Sequence, residues 1–358
     1  MTENTVIESS DMQVHFDQST DLLSSIRNYV LGTDVEKVRA VDGVDLTLSE
    51  NDSQGVIGES GCGKTTLIKT IMGLLSPTGG ELRFKGRPVS EFDKADWKRF
   101  RRNVQIIFQD PFDSLDPKFT VRETLREPLE VHGIDDKEKR VRETLERVEL
   151  NPPEHYLDRL PEQLSGGEKQ RVSIGRALVL EPDVILADEP VSMLDVSTQA
   201  SILRLLDRIT SETGVSMVYI SHDLSTVSYV CDDINVMYLG RIVESGPKKE
   251  VLENPQHPYT RALIDAIPIP DPHHDRTHTV LGGSADSPIG SPDGCRFKNR
   301  CPERMDVCEV TPRDVPVDGA PDHEVACHLH YDHEAATDGA DGPITNGDGH
   351  AVIHGGDQ

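Results

Sequence analysis

GESGCGKT, the stretch from Gly58 to Thr65, has the residue spacing of a phosphate-binding loop. In such a loop the glycines let backbone N–H groups turn toward the β-phosphate, Lys64 reaches the β- and γ-phosphates, and the hydroxyl of Thr65 holds Mg²⁺. The apolar run 55–57 enters the loop as a strand, and residues 65–75 leave it with helical spacing. Because the motif stands between a predicted strand and a predicted helix, a nucleotide site is indicated rather than a chance match.

Polar side chains also follow two later apolar runs. Asp188 and Glu189 end the run that begins at Val184, and His222 follows the run 215–220. Ligands of open α/β sheets bind at the carboxyl ends of the strands, so we expect these side chains beside the phosphate loop. We assign Asp188 to Mg²⁺, Glu189 to the general base for the attacking water, and His222 to a bond with the γ-phosphate. The alternatives are a strand-capping acidic pair and a structural histidine.

A second phosphate-binding element is predicted at LSGGE, from Leu164 to Glu168. It precedes a helical run over 169–180, so its serine hydroxyl and glycine amides stand at a helix N-terminus, where the helix dipole favours an anion. About a hundred residues separate it from the phosphate loop, so the two elements need not face each other within one chain. A dimer would bring the second element of one chain to the nucleotide of the other.

The order of apolar runs predicts an α/β fold with a mainly helical insertion. Residues 41–48 alternate as an exposed strand does, and an amphipathic helix over 197–213 joins two strands typical of a buried parallel sheet. After Pro268 the chain becomes rich in Pro, Gly, His and Asp. The predicted divisions are a nucleotide-binding domain at 1–268, a helical subdomain at about 94–177, a small cysteine-containing C-terminal module at 269–333, and a disordered acidic tail at 334–358.

These motifs resemble the ATP-binding subunit of an ABC transporter over residues 10–265. The resemblance rests on the phosphate loop, Gln109, LSGGEKQR at 164–171, ADEP at 187–190, SMLD at 192–195 and His222. It implies a P-loop NTPase core of the ABC ATPase type that works as a head-to-tail dimer. In such a dimer the LSGGE element of one subunit closes the ATP held by the phosphate loop of the other.

The resemblance also assigns a role to each matching residue. Phe16, which precedes an insertion at 17–37, matches the aromatic residue that stacks on adenine. Gln109 matches the residue that senses Mg²⁺ and the attacking water, and Asp195 matches the one that communicates across the dimer. Met193 stands where the family usually has alanine, which affects no chemical role. The implied sets are Glu189, His222 and Gln109 for catalysis; Thr65, Gln109 and Asp188 for Mg²⁺; Phe16, Gly58, Glu59, Ser60, Gly61, Cys62, Gly63, Lys64, Thr65 and Thr66 for ATP; and Ser165, Gly166, Gly167 and Glu168 for the partner's ATP.

The segment NPQHPYTRAL at 254–263, with the cysteines that follow, resembles the dipeptide/oligopeptide and nickel uptake branch of these ATPases. This branch implies an ATP-hydrolysing importer subunit for di- and oligopeptides, bound peripherally at the cytoplasmic face of the cell membrane. Its implied partners are a second ABC ATPase subunit, identical or paralogous, two transmembrane permease subunits and an extracytoplasmic solute-binding protein. Nickel or sugar import is an alternative, as is a soluble non-transport ABC ATPase, although the long coiled coil or second cassette of such proteins is not found.

Four of the six cysteines form a set near the C-terminus: Cys295, Cys301, Cys308 and Cys327. In a reducing compartment, thiols in a loop-rich segment favour metal binding over disulfides. Spacings of five, six and eighteen intervening residues differ from the paired C-x-x-C of structural zinc, and four thiolates can also ligate an iron–sulfur cluster. In the resembling branch a module of this pattern holds a [4Fe–4S] cluster, which we therefore expect ahead of Zn²⁺ or free thiols.

Composition narrows the classes of partner. A formal charge of -26 would repel a phosphate backbone, and no basic stripe with interleaved aromatics offsets it, so nucleic acid is not an expected partner. No apolar run reaches the roughly 18 to 20 residues of a spanning helix, and no signal-peptide pattern opens the chain. We therefore expect a soluble, cytoplasmic protein.

The acidity also suits a halophilic protein, because concentrated salt screens the self-repulsion of a highly charged compact state. The alternative is that the charge only aids solubility. We predict that the protein loses structure on dialysis from concentrated salt into dilute buffer, as followed by circular dichroism. Full folding at low ionic strength would contradict the halophilic interpretation.

Overall fold

The computed structural model describes residues 4–17, 37–111, 114–266 and 294–331. Residues 18–36 of the N-terminal insertion and the tail predicted to be disordered at 334–358 lie outside these ranges. Within them, no helix combines the length and the apolar character needed to cross a membrane.

Strands and helices alternate along most of the described chain. The strands are β1 (Thr5–Asp17), β2 (Lys37–Ser49), β3 (Ser53–Ile57), β4 (Gly79–Phe84), β5 (Arg87–Pro88), β6 (Val104–Ile107), β7 (Val184–Asp188), β8 (Ser216–Ser221), β9 (Asp233–Tyr238), β10 (Arg241–Pro247), β11 (Val315–Val317) and β12 (Ala320–Val325). The α-helices are α1 (Lys64–Ile71), α2 (Lys94–Asn103), α3 (Val121–His132), α4 (Lys137–Arg147), α5 (Gly166–Leu178), α6 (Val196–Thr213), α7 (Leu224–Val230), α8 (Lys248–Glu253) and α9 (Pro258–Asp265).

An eight-stranded sheet forms the centre of the fold, in the order β11-β12-β10-β9-β3-β8-β7-β6. The strands from β9 to β6 pair in parallel, whereas β10, β12 and β11 extend one edge by antiparallel pairing. The predicted parallel strands are thus confirmed as the neighbours β7 and β8, joined by the predicted helix, which is α6. The N-terminal strands lie in a separate antiparallel sheet of order β2-β1-β4-β5.

The central strands are apolar along their whole length because both faces of the sheet are covered. Val184 and Leu186 of β7 point into a core shared with α1 and the antiparallel sheet. Ile185 and Ala187 point to the opposite face, into a core formed with α3 to α7 and α9. Alternation of side chains along each strand therefore divides one apolar run between two cores.

The region predicted as a helical insertion contains one strand that the sequence did not reveal. β6 follows α2 directly and pairs in parallel with β7 at the edge of the central sheet. Four residues are too few for a strand-like alternation to stand out from the helix before them. The remainder is helical: at Gly175 of α5, an added Cβ would come within 3.3 Å of Thr144 in α4 and 3.4 Å of Leu125 in α3.

Residues 294–331, the described part of the predicted C-terminal module, continue the central sheet. β12 pairs with β10, and Phe297 is buried against the rings of Tyr238 and Tyr259. Cys295 and Cys308 belong to the same apolar core as the helices on that face. This segment therefore shares its packing with the nucleotide-binding part of the chain.

Candidate nucleotide-binding site

The phosphate loop connects β3 to α1, as predicted, and at two of its positions only glycine fits against the neighbouring backbone. Gly63 is the N-cap of α1 with φ 110°, and an added Cβ there would lie 2.0 Å from the carbonyl oxygen of Ala40. At Gly58 an added Cβ would lie 2.1 Å from the carbonyl oxygen of Met237. Side chains at these two positions would push the loop away from the neighbouring backbone, so its curvature depends on glycine.

Lys64 begins α1 and is bound by the loop itself. Its Nζ donates to the carbonyl oxygens of Gly58 at 2.7 Å and Glu59 at 2.9 Å, and lies 3.7 Å from Cys62 Sγ. These neutral acceptors hold the ammonium group of Lys64 against the start of the loop. A phosphate oxygen is a stronger acceptor because it is ionised, so bound nucleotide can replace one of these carbonyls.

A cavity of about 960 Å³ opens over the loop. The sequence-predicted residues that line it are Gly58, Glu59, Ser60, Gly61, Gly63, Lys64, Thr65, Thr66, Gln109, Glu189 and His222. Val38, Ala40 and Leu263 complete the lining and were not predicted. Cys62 is buried beneath the loop, and that burial raises the pKa of its thiol. Phe16 is 41% exposed and pairs in register with Val38, which places it beside the cavity wall.

Glu189 joins the ends of three elements. It accepts a hydrogen bond from Gln109 Nε2 at 3.2 Å, and its other carboxylate oxygen lies 3.0 Å from His222 Nδ1. Its own N–H donates to the Ile220 carbonyl at 2.9 Å, which ties the residue to the end of β8. Glu189 also has φ 46°, a left-handed conformation that costs a residue with a side chain on the order of 1–3 kcal/mol. The surrounding contacts hold the carboxylate in this strained position.

Asp188 ends β7 close to the Thr65 hydroxyl, which acts on its carboxylate. Burial and the adjacent Glu189 carboxylate raise the pKa of Asp188, while Lys69 and Lys64 act in the opposite direction. A hydroxyl, a carboxylate and the nearby amide of Gln109 are hard oxygen donors of the kind that Mg²⁺ prefers. A divalent cation here would also offset the crowding of negative charge, so the donor set fits the ion.

The LSGGE element stands at the N-terminus of α5, as predicted, and its residues are not among those that line the cavity. Ser165 Oγ accepts from the Glu168 N–H at 3.3 Å, and Glu168 Oε2 accepts from the Ser165 N–H at 2.7 Å. That reciprocal bond lowers the pKa of Glu168. An added Cβ at Gly167 would come 2.7 Å from the Thr198 side chain, so packing against α6 favours glycine there. The element is thus formed within one chain but apart from that chain's own nucleotide cavity.

Asp195 caps the N-terminus of α6. One carboxylate oxygen accepts from the Ser197 N–H at 3.1 Å and hydroxyl at 2.6 Å, and the other accepts from the Thr198 hydroxyl at 2.7 Å. These bonds hold the pKa of Asp195 well below its usual range. Helix capping therefore accounts for its contacts within the chain.

Two residues that sequence reasoning missed support the phosphate loop from outside. Tyr259 Oη accepts the N–H of Glu59 at 2.9 Å, and the Arg300 guanidinium donates to both carboxylate oxygens of Glu59 at 2.8 and 2.9 Å. Tyr259 belongs to the NPQHPYTRAL segment, so attention to that motif could have suggested a role. Arg300 lies 241 residues from its partner, and no local pattern predicts such a contact.

Two family models match the chain. The model described as ABC transporter matches residues 41–192, and the model described as oligopeptide/dipeptide transporter, C-terminal region, matches residues 243–308. The oligopeptide transport ATP-binding protein AppF of Bacillus subtilis is 39% identical over 336 residues, covering 92% of this chain and 98% of AppF. OppF of Salmonella typhimurium, which bears the same description, is 41% identical over 328 residues, covering 90% of this chain and 95% of OppF.

Solved structures with the same architecture are ATP-binding cassettes. MJ0796, solved as a dimer in a post-hydrolysis state bound to ADP and Pi, superposes with a TM-score of 0.57 at 26% identity, over 68% of this chain and 98% of MJ0796. CbiO1 of Clostridium perfringens, part of the transporter complex cbiONQ, gives a TM-score of 0.59 at 26% identity, over 70% of this chain and 92% of cbiO1.

Proposed function

Because the chain belongs to the ABC transporter ATP-binding proteins, in their oligopeptide transport branch, we propose that it energises the uptake of di- and oligopeptides across the cell membrane. The chain is an ABC-type ATPase with the P-loop NTPase fold of that family. The observation that carries the substrate class is the match of residues 243–308 to the C-terminal region of oligopeptide/dipeptide transporters. Nickel and sugar import, and a role outside transport, have no comparable support.

The geometry supports a separate role for each group of residues around the nucleotide. Phe16 would stack on adenine, the loop N–H groups and Lys64 would bind the phosphates, and Thr65, Asp188 and Gln109 would hold Mg²⁺. Held there, the ion would supply positive charge to the phosphate oxygens.

Glu189 then acts as the general base. Its carboxylate takes a proton from the water whose oxygen bonds to the γ-phosphorus, as the bond from that phosphorus to the bridging oxygen breaks and ADP leaves. Gln109 and His222 hold the carboxylate in position through the bonds described above. His222 lines the cavity and its side chain is 58% exposed, so its ring can also contact a γ-phosphate oxygen. Gln109, Glu189 and His222 lie far apart in the sequence, yet the fold brings their side chains into contact. This proximity supports the assignment.

The complete site needs a second subunit. Ser165, Gly166, Gly167 and Glu168 stand apart from the chain's own cavity, so we place them at the nucleotide of a partner in a head-to-tail dimer, with Asp195 near the contact. The dimeric structure of the similar cassette MJ0796 supports this arrangement. Two permease subunits and an extracytoplasmic solute-binding protein complete the proposed importer. The ATPase would lie peripherally at the cytoplasmic face of the membrane, with residues 1–268 as its ATP-binding domain.

We propose that the four C-terminal cysteines ligate a [4Fe–4S] cluster, as the resemblance to the peptide-uptake branch implies. They are present as thiols, three of them are buried, and burial raises the pKa of Cys295 to about 11 and of Cys327 to about 12, with the neighbouring thiols of the set adding to the shift. One zinc ion would draw four sulfurs to about 3.8 Å from one another. No group of three or more His, Cys, Asp or Glu side chains in residues 4–17, 37–111, 114–266 or 294–331 has the arrangement to hold a single ion. Four thiolates can ligate an iron–sulfur cluster, so Cys295, Cys301, Cys308 and Cys327 would be its ligands.

Glu189→Gln should leave ATP binding near the wild-type level and lower the turnover by roughly 100-fold or more, the usual range for a lost general base. Phosphate release would measure turnover, and size-exclusion chromatography with ATP would detect a trapped dimer. The control is Glu143→Gln, at an exposed residue of α4. Near-normal turnover of Glu189→Gln would refute the assignment.

The transport proposal predicts that tagged full-length protein, extracted from its own membranes in mild detergent, recovers two permease subunits. After reconstitution in vesicles, its ATPase rate should rise with a binding protein loaded with peptide and not with nickel or sugar. Lys64→Ala serves as the inactive control because it removes the phosphate-binding ammonium. Recovery of no permease would speak against transport.

The cluster proposal predicts about four iron and four acid-labile sulfide ions per chain in anaerobically purified protein. Cys301→Ser should lower the iron content, whereas Cys231→Ala, outside the set, should leave it unchanged. Stoichiometric zinc without iron or sulfide would instead identify a zinc site, and metal-free protein would indicate free thiols.

A further inference from the structure

Glu59 is one of the residues that line the cavity over the phosphate loop, and its acidic side chain brings a carboxylate to this part of the site. It is the residue directly after the first glycine of the phosphate loop, and its side chain is 28% exposed. An ionised carboxylate at this place repels the phosphates, and the repulsion is strong because the surroundings are only partly solvated. The loop therefore carries a negative charge that works against its own ligand unless another group compensates for it.

Arg300 supplies that compensation. Its NH1 and NH2 groups donate to the two carboxylate oxygens of Glu59 at 2.8 and 2.9 Å, which is the bidentate geometry in which arginine binds carboxylates most strongly. The Arg300 side chain is 9% exposed and also donates to Tyr238 Oη at 3.3 Å. Since the pair is largely shielded from solvent, salt screens it less than a surface ion pair.

The turn that carries Arg300 is docked firmly on the ATPase core. Backbone bonds from Lys298 N–H to the Cys295 carbonyl and from Arg300 N–H to the Phe297 carbonyl close the turn. Between them, the Phe297 ring is buried against Tyr238, Tyr259 and His257. The guanidinium therefore projects from a rigid support that begins at Cys295 and ends next to Cys301.

Arg296, on the same turn, anchors the support at a second place. Its guanidinium donates to the backbone carbonyl of Leu239 and to the carboxylate of Asp42 in β2. Leu239 and Asp42 are both buried. The Glu59 backbone is held independently, since its N–H donates to Tyr259 Oη at 2.9 Å. Side chain and backbone of Glu59 are thus fixed by two separate elements from the C-terminal part of the chain.

We propose that Arg300 is a positioning residue for ATP binding: it neutralises Glu59 and holds the phosphate loop in its anion-binding form, so that the C-terminal cysteine segment contributes to the affinity for ATP. The inference rests on the assignment of residues 58–65 as the ATP site. Arg300 is not one of the residues assigned to ATP binding. It would raise the affinity for ATP through its bonds to Glu59, without contacting the nucleotide.

The test is a charge-rescue series in the full-length protein, titrated with a fluorescent ATP analogue and assayed for phosphate release. The variants are Arg300→Ala, Arg300→Lys, Glu59→Gln and the double variant Arg300→Ala with Glu59→Gln. Arg304→Ala is the matched control, because Arg304 lies in the same segment, is half exposed and pairs with Glu309. Thermal melting of each variant confirms that it is folded at the assay temperature.

Arg300→Ala should raise the Kd for the ATP analogue by roughly tenfold, equivalent to about 1.4 kcal/mol, and raise KM while kcat at saturating ATP changes by less than about twofold. Arg300→Lys should fall between it and the wild type, since charge remains but the bidentate geometry is lost. The double variant should return to within about twofold of Glu59→Gln, because no unpaired carboxylate is left.

An unchanged Kd in folded Arg300→Ala would overturn the proposal. So would a double variant that binds as weakly as Arg300→Ala, since Arg300 would then act through general support of the fold. If the wild type and Arg304→Ala bind no ATP, the assignment of the ATP site fails, and this inference fails with it. ATP binding by these two proteins with no response to Arg300 would overturn the inference alone.

Discussion

The parallel pairing of β3, β8 and β7 is the constraint on which the site depends. Ile57 stands in register with Ser221, and Asp188 with Ile220, so three strands end at the same level of the sheet. The phosphate loop and the two polar strand ends consequently emerge side by side. A slip of one residue would exchange the two faces of a strand and move its apolar side chains between cores, which makes the register costly to change. The bond from the Glu189 N–H to the Ile220 carbonyl extends this pairing by one residue into the site itself.

A second constraint attaches the C-terminal segment to this framework. Glu244 of β10 is fully buried and accepts the backbone N–H groups of Gln256 at 2.7 Å and His257 at 2.8 Å, with His323 Nε2 of β12 at 2.7 Å. Removing one partner of a buried hydrogen bond costs about 1–3 kcal/mol, because the group that remains stays desolvated. This carboxylate therefore fixes both the start of α9, which carries Tyr259, and β12, the strand that lies between Cys308 and Cys327. The Tyr259 support of the Glu59 backbone therefore depends on these buried bonds.

Local sequence patterns predicted the parts of the molecule that local physics determines. The glycine spacing of the loop, the apolar runs of β7 and β8 and the helix start after LSGGE each reflect neighbours within a few residues. The sequence did not predict β6, because four residues are too few to show a periodic pattern. It did not predict the C-terminal strands, because their pairing with β10 depends on tertiary contact. The contact between Arg300 and Glu59 was not predicted for the same reason, since no local pattern near either residue indicates the other.

The local completeness of the LSGGE element bears on how a dimer would use ATP. Ser165 and Glu168 already satisfy each other's backbone N–H groups, and Asp195 already caps α6, so these helix ends are ordered before a partner subunit arrives. An interface built from preformed groups loses little conformational entropy on closing. In the proposed dimer, two helix N-termini and two phosphate loops bind ATP. Because little of the binding free energy is needed to order these groups, more of it can drive the movement of the subunits and of the proposed permease partners.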